Sequence, residues 1–295
     1  VLKPARWLLP TAILALAWVG CAGPEPPSRA FSDLEAFERL PPPGSFDWRA
    51  LFPEKGQTFE EFVRVRPNRL TDRRKIYLQP LGAFPPGESP SLLDLQRFAT
   101  AFFDLEVRLL PPVDVADLSV TSRYDPRIHR RQLLTKDLRA WLAGHCPADA
   151  AAFLGITMED LYPGPDWNYV FGEASSRVGI YSWTRFDPQF FGGLRPPGWQ
   201  RLMLLRSCKV LAHETAHMLG LPHCTFYRCV MNGGNSLEEN DAAPLQLCPV
   251  DLHKLHHRIG FDVLERYRRL LQFSQDAGFD DDARWIKARL TRLDG

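Results

Sequence analysis

Apolar residues in this chain gather into short dense runs and helical stripes, and the two alternate. Runs over 76–80, 105–110, 152–156, 168–171 and 178–183 predict strands. Leu92, Leu93, Leu95, Phe98, Phe102 and Phe103 share one face at helical spacing and predict a helix over 91–103; a second is predicted over 133–143. Pro111 and Pro112 stop the strand before them. Gly192, Gly193, Pro196 and Pro197 break the chain ahead of a long helix. Further on, Leu252, Leu255, Ile259, Val263, Tyr267 and Leu270 form one stripe with Arg258, Glu265, Arg266 and Arg269 off it, which predicts a helix packed on the domain. A last helix is expected over 280–293, with Asp280, Asp281 and Asp282 suited to its N-terminus. Strands alternating with helices predict an α/β fold with a mixed, mostly parallel sheet and a helical C-terminal part.

The front of the chain follows neither pattern. Lys3 and Arg6 precede an apolar run over 7–19, with Gly20 and Cys21 after it. A positive start and an apolar middle predict a secretory signal, and Pro10 and the short length argue against a spanning helix. Val19, Gly20 and Cys21 resemble the end of a bacterial lipoprotein signal, although Trp18 departs from it; the expectation is lipidation at Cys21 and a place in the cell envelope, lipid-anchored or secreted. Residues 22–58, with Pro24, Pro26, Pro27 and Pro41 to Pro43, are expected to be a semi-extended tether. The boundaries expected are therefore a signal segment 1–21, a tether 22–58 and one domain 59–295.

Charge adds little. Thirty-six basic and 35 acidic residues leave a net +1, so composition gives no basis for nucleic-acid binding, and a monomer is expected. Six cysteines are too few for a disulfide scaffold and suit a metal cluster plus strays.

The chemistry sits in the long helix. His213, Glu214, His217, Gly220 and His223 spell H-E-x-x-H-x-x-G-x-x-H. Residues four apart on a helix share a face, so His213 and His217 can hold one zinc ion. Glu214, turned about 100° away, can reach a water beside the ion and act as general base. An unbroken helix would turn His223 about 240° from His217, so the chain must leave the helix first; Gly220 permits a left-handed residue and Pro222 resists resumption. Three neutral imidazoles leave a fourth position for a water whose pKa falls to about 7.

Cys224, Cys229, Met231 and Cys248 follow. The extended motif resembles the archaemetzincin family of zinc metallopeptidases, in the metzincin clan, and the likeness runs over about 75–275. It implies a metzincin-like catalytic domain. His213, His217 and His223 would be catalytic zinc ligands, Glu214 the base, and Met231 a packing residue in the turn beneath the metal. It also implies an antiparallel edge strand beside the cleft, for which 178–183 is the candidate, and an aminopeptidase-like activity on a peptide or protein substrate. In the family four cysteines hold a second, structural zinc, whereas Asp251 stands here in the fourth place. Three readings stay open: ligation by Asp251, substitution by a histidine such as His253, or no second zinc and a disulfide, with Cys224 and Cys229 nearest in sequence. Two other functions use the same residues: an inactive zinc-stabilised binding module, and a zinc amidase acting on a non-peptide amide.

Overall fold

The computed structural model describes residues 29–66 and 68–294, so the signal segment with Cys21, and the start of the expected tether, lie outside the described residues. Three short helices come first: α1 (Arg29–Ser32), α2 (Trp48–Leu51) and α3 (Phe59–Val65). The α/β body follows as β1 (Lys75–Leu81), α4 (Leu92–Phe103), β2 (Glu106–Leu109), β3 (Ser122–Asp125), β4 (Arg130–Leu134), α5 (Thr135–Gly144), β5 (Ala150–Thr157), β6 (Asp160–Tyr162), β7 (Gly172–Ser175) and β8 (Val178–Ser182). Helices α6 (Trp199–Met218), α7 (Leu237–Ala242), α8 (Pro249–Ile259), α9 (Val263–Asp276) and α10 (Asp280–Asp294) complete it.

The main sheet runs β2-β1-β5-β8-β7, parallel except for β7, which pairs antiparallel with β8. A smaller sheet, β3-β4-β6, lies beside it. Side chains of a strand alternate faces. Ile76 and Leu78 of β1, with Leu154 and Ile156 of β5, enter a core shared with Phe98, Phe102, Leu211 and Leu270 of α4, α6 and α9. Tyr77, Leu81, Phe153 and Ile180 enter a second core with Leu138 and Leu142 of α5. Helices therefore cover both faces, which is why β5 is buried at every position and reads as an unbroken apolar run. Each fully buried Leu or Phe contributes about 1.5–3 kcal/mol by leaving water.

Several expected boundaries move. The run over 178–183 is internal, between β5 and β7, and the antiparallel edge is β7 instead. Residues 168–171 form no strand; the pairing starts at Gly172. β4 takes Leu133 and Leu134 before α5 begins. The stripe from Leu252 to Leu270 is two helices, because Gly260 adopts φ 84° and Asp262 caps α9 through the Glu265 amide.

The tether expected over 22–58 is corrected for its described part. Residues 29–58 form an arm laid along the domain. Buried Arg289 donates to the Ala30 carbonyl (2.9 Å) and pairs with Asp33 (3.0 Å). Phe31 stacks on His253, whose other face meets Phe59. Arg39 bridges Tyr227, and the Trp48 amide donates to Glu239 (2.9 Å). Between α1 and α2 the segment has little regular structure, and Phe31, Phe37 and Trp48 are half-buried against the domain while Phe46 and Phe52 stay exposed.

Candidate metal centre

Helix α6 brings His213 and His217 together one turn apart, with ring centroids 4.5 Å and Nε2 atoms 2.9 Å apart. The helix ends at its last turn, where Gly220 takes φ 98° and the Leu221 amide donates back to the Ala216 carbonyl (3.0 Å). That reversal carries His223 to within 5.2 Å and 4.8 Å of the other two rings, centroid to centroid. One nitrogen from each ring lies within 4.8 Å of the others.

Each Nδ1 already has an acceptor. His213 Nδ1 donates to the Val230 carbonyl (2.8 Å), His217 Nδ1 to the Leu221 carbonyl (2.6 Å), and His223 Nδ1 to both oxygens of Glu54 (2.9 Å each). An imidazole that donates from Nδ1 and is neutral carries a lone pair on Nε2. Burial, then the neighbouring histidines, push the His213 pKa well down; burial and His223 bring His217 down to about 4. Two Nε2 lone pairs then face each other at 2.9 Å, a repulsive contact that a cation relieves. The donor set fits zinc, which takes neutral histidine nitrogens.

Glu214 lies beside the rings and lines a cavity of about 90 Å³ with Phe171, Lys209, His213, Val230 and Asn240. Burial pushes its carboxyl up to about 7.

A second constellation lies in the core. Cys224, Cys229, Cys248 and Asp251 are buried and offer ligand atoms within 4.8 Å of one another. Asp251 Oδ2 is 3.4 Å from the sulfurs of Cys229 and Cys248, and Cys224 Sγ is 3.6 Å from Cys248 Sγ. All three cysteines are free, so the expected disulfide alternative is not formed. His253 is not in this group; its ring is held between Phe31 and Phe59. Hydrogen bonds from Cys229 and Cys248 hold the Cys224 thiol far below its usual pKa, while burial pushes Cys229 and Cys248 up and takes Asp251 to about 7. Lys254, fully buried, donates to Asp251 Oδ1 (2.9 Å).

Met231 is fully buried in the turn between the two constellations. Asn232 ties this turn: its Nδ2 donates to the Cys224 and Tyr227 carbonyls (2.9 Å each), and its Oδ1 accepts from the Cys229 amide (2.8 Å). Val230, within the same turn, supplies the carbonyl that orients His213. Sequence reasoning missed Glu54, Asn232 and Lys254. Only Lys254 left a trace, one helical turn after Asp251.

The family model of Peptidase family M54 matches residues 150–257, which includes both constellations. Archaemetzincin-2 of Mus musculus is 36% identical over 272 residues, covering 81% of this chain and 75% of that protein. The chain belongs to the archaemetzincin family. It is a zinc metallopeptidase, and zinc is its cofactor. Archaemetzincin-1 of Homo sapiens is also 36% identical, over 78% of this chain and 52% of its own length. Among solved structures, the archaemetzincin of Methanopyrus kandleri superposes with a TM-score of 0.45 at 27% identity, covering 62% of this chain and 94% of that one.

Proposed function

We propose that His213, His217 and His223 hold the catalytic zinc and that Glu214 is the general base of peptide-bond hydrolysis. The observation that carries this is the convergence of three rings whose Nδ1 atoms all face acceptors, with one ring nitrogen of each within 4.8 Å of the others. Zinc supplies a Lewis acid there, able to bring a water's pKa to about 7 and to polarise a carbonyl. Glu214 takes a proton from the attacking water on its carboxylate oxygen and returns it to the leaving amine. Phe171, at the start of the β7 edge, lines the same cavity, so an extended peptide can pair with Gly172–Ser175 while its scissile bond meets Glu214. Glu214→Gln is expected to retain zinc and lose peptide cleavage; cleavage that survives this change refutes the assignment.

Cys224, Cys229, Cys248 and Asp251 are proposed to hold a second, structural zinc, with the Lys254 cation offsetting one of four anionic ligands. Metal analysis tests this, two zinc ions per chain being the expected result. Amino-terminal trimming is the finer form of the activity and rests on family resemblance; a peptide with a free amino group should be cleaved and its acetylated twin spared. A lipid anchor at Cys21 in the cell envelope and a monomeric state complete the proposal. Among the described residues no helix is long and apolar enough to cross a membrane.

A further inference from the structure

We infer that Glu54, on the N-terminal arm, is a positioning residue for the third zinc ligand: its carboxylate fixes the tautomer and aim of His223 and so sets the zinc affinity of the site. The inference rests on the three-histidine reading above.

The three ligands are supported unequally. His213 and His217 are rooted in α6, and their Nδ1 atoms are held by the nearby carbonyls of Val230 and Leu221. His223 lies past the helix end, where the chain has turned through Gly220, and its Nδ1 faces the carboxylate of Glu54. Glu54 is remote in sequence, and both its oxygens lie 2.9 Å from His223 Nδ1. A carboxylate partner fixes the Nδ1–H tautomer, frees Nε2 for metal, and raises the basicity of the ring. A neutral carbonyl does the first two and less of the third.

The arm is built to bring Glu54 to this place. The Trp48 ring meets the His223 ring edge-on at 5.5 Å, and the Trp48 amide is fixed by Glu239. Gly233 admits that indole: a Cβ there would come within 2.4 Å of Trp48. Beyond Glu54, a Cβ on Gly56 would fall 2.2 Å from Thr225 Oγ1 and 2.7 Å from the Phe226 ring. Close approach on both sides of Glu54 thus presses the arm onto the loop that follows His223. Glu54 and His223 are each partly screened from solvent, with side chains 30% and 20% exposed.

The test is zinc affinity, measured on the full chain by competition with a chromogenic chelator, together with the visible spectrum of the cobalt(II)-substituted protein. Glu54→Gln keeps the shape and one acceptor oxygen but removes the charge. It is expected to weaken zinc binding at the histidine site about 10–100-fold and to shift the cobalt band, and Glu54→Ala is expected to weaken it at least as much. Hydrogen exchange over 44–58 should stay protected in Glu54→Gln, and metal in the cysteine cluster should be retained. Zinc affinity within twofold of wild type in both variants, with an unchanged cobalt band, overturns the inference. So does a loss seen only when the arm becomes exchange-labile and reproduced by Arg39→Ala, which removes the guanidinium stacked on Tyr227 and leaves the carboxylate intact. If His223→Ala also leaves zinc binding unchanged, the three-histidine reading itself has failed.

Discussion

In the proposed site Glu214 and Gly220 would serve the same metal in different ways, one through its charge and one through its backbone. Glu214→Gln preserves the shape of the cavity and removes the proton acceptor. Peptide cleavage should fall by at least 10²–10⁴-fold, read by chromatography of a peptide digest, while zinc content holds. Gly220 adopts φ 98°, and a Cβ there would stand 2.8 Å from Arg66 Nε. Gly220→Ala should therefore cost about 1–2 kcal/mol from backbone strain alone, seen as a lower denaturant midpoint. It should also weaken zinc binding, because this residue is the turn that returns His223 to the helix.

At the scale of elements, the arm over 29–58 is fastened by charge as well as by aromatic contact. A hydrogen bond from Arg292 is the main cause that holds Asp33 down to about 2, with the Glu35 amide and Arg289 adding to it. A carboxylate whose folded pKa lies below its unfolded value of about 3.9 stabilises fully above that value and loses the effect as pH falls through about 2. Docking of the arm should therefore loosen between about pH 4 and pH 2, and Asp33→Asn should remove that pH dependence, both read by hydrogen exchange of residues 29–58. Little of this arm was legible in the sequence. Proline density marks irregular backbone, and it says nothing about where Phe31, Trp48 or Glu54 will land. The edge strand was hidden for a related reason: Gly172, Glu173, Ala174 and Ser175 carry no apolar alternation, so the edge that the family resemblance implies was placed on the apolar strand beside it. The α6 histidines were legible because helical spacing converts directly into a shared face. The partners that orient them were not, since two are backbone carbonyls and the third lies far away in sequence.

Across the whole molecule, four parts outside the sheet meet at the two constellations. The end of α6, the turn around Met231, the start of α8 and the arm each carry a proposed ligand or a group that holds one in place. Metal should therefore stabilise the fold as well as run the reaction, because ions that bind only the folded chain shift its unfolding equilibrium. With free zinc about 1,000-fold above a site's Kd, one ion contributes about 4.1 kcal/mol. For a chain of this size that corresponds to a rise in Tm on the order of 10 °C. Stripping zinc with a strong chelator should lower Tm by at least this amount. Asp251→Asn should leave one zinc per chain, a smaller chelator effect, and a buried Lys254 without its anionic partner. The three histidines and Glu214 are untouched by that change, so peptide cleavage at a temperature well below the new Tm should persist. If cleavage and the histidine-bound zinc are lost together in Asp251→Asn at such a temperature, the cysteine cluster is part of the catalytic machinery and the division into two separate sites fails.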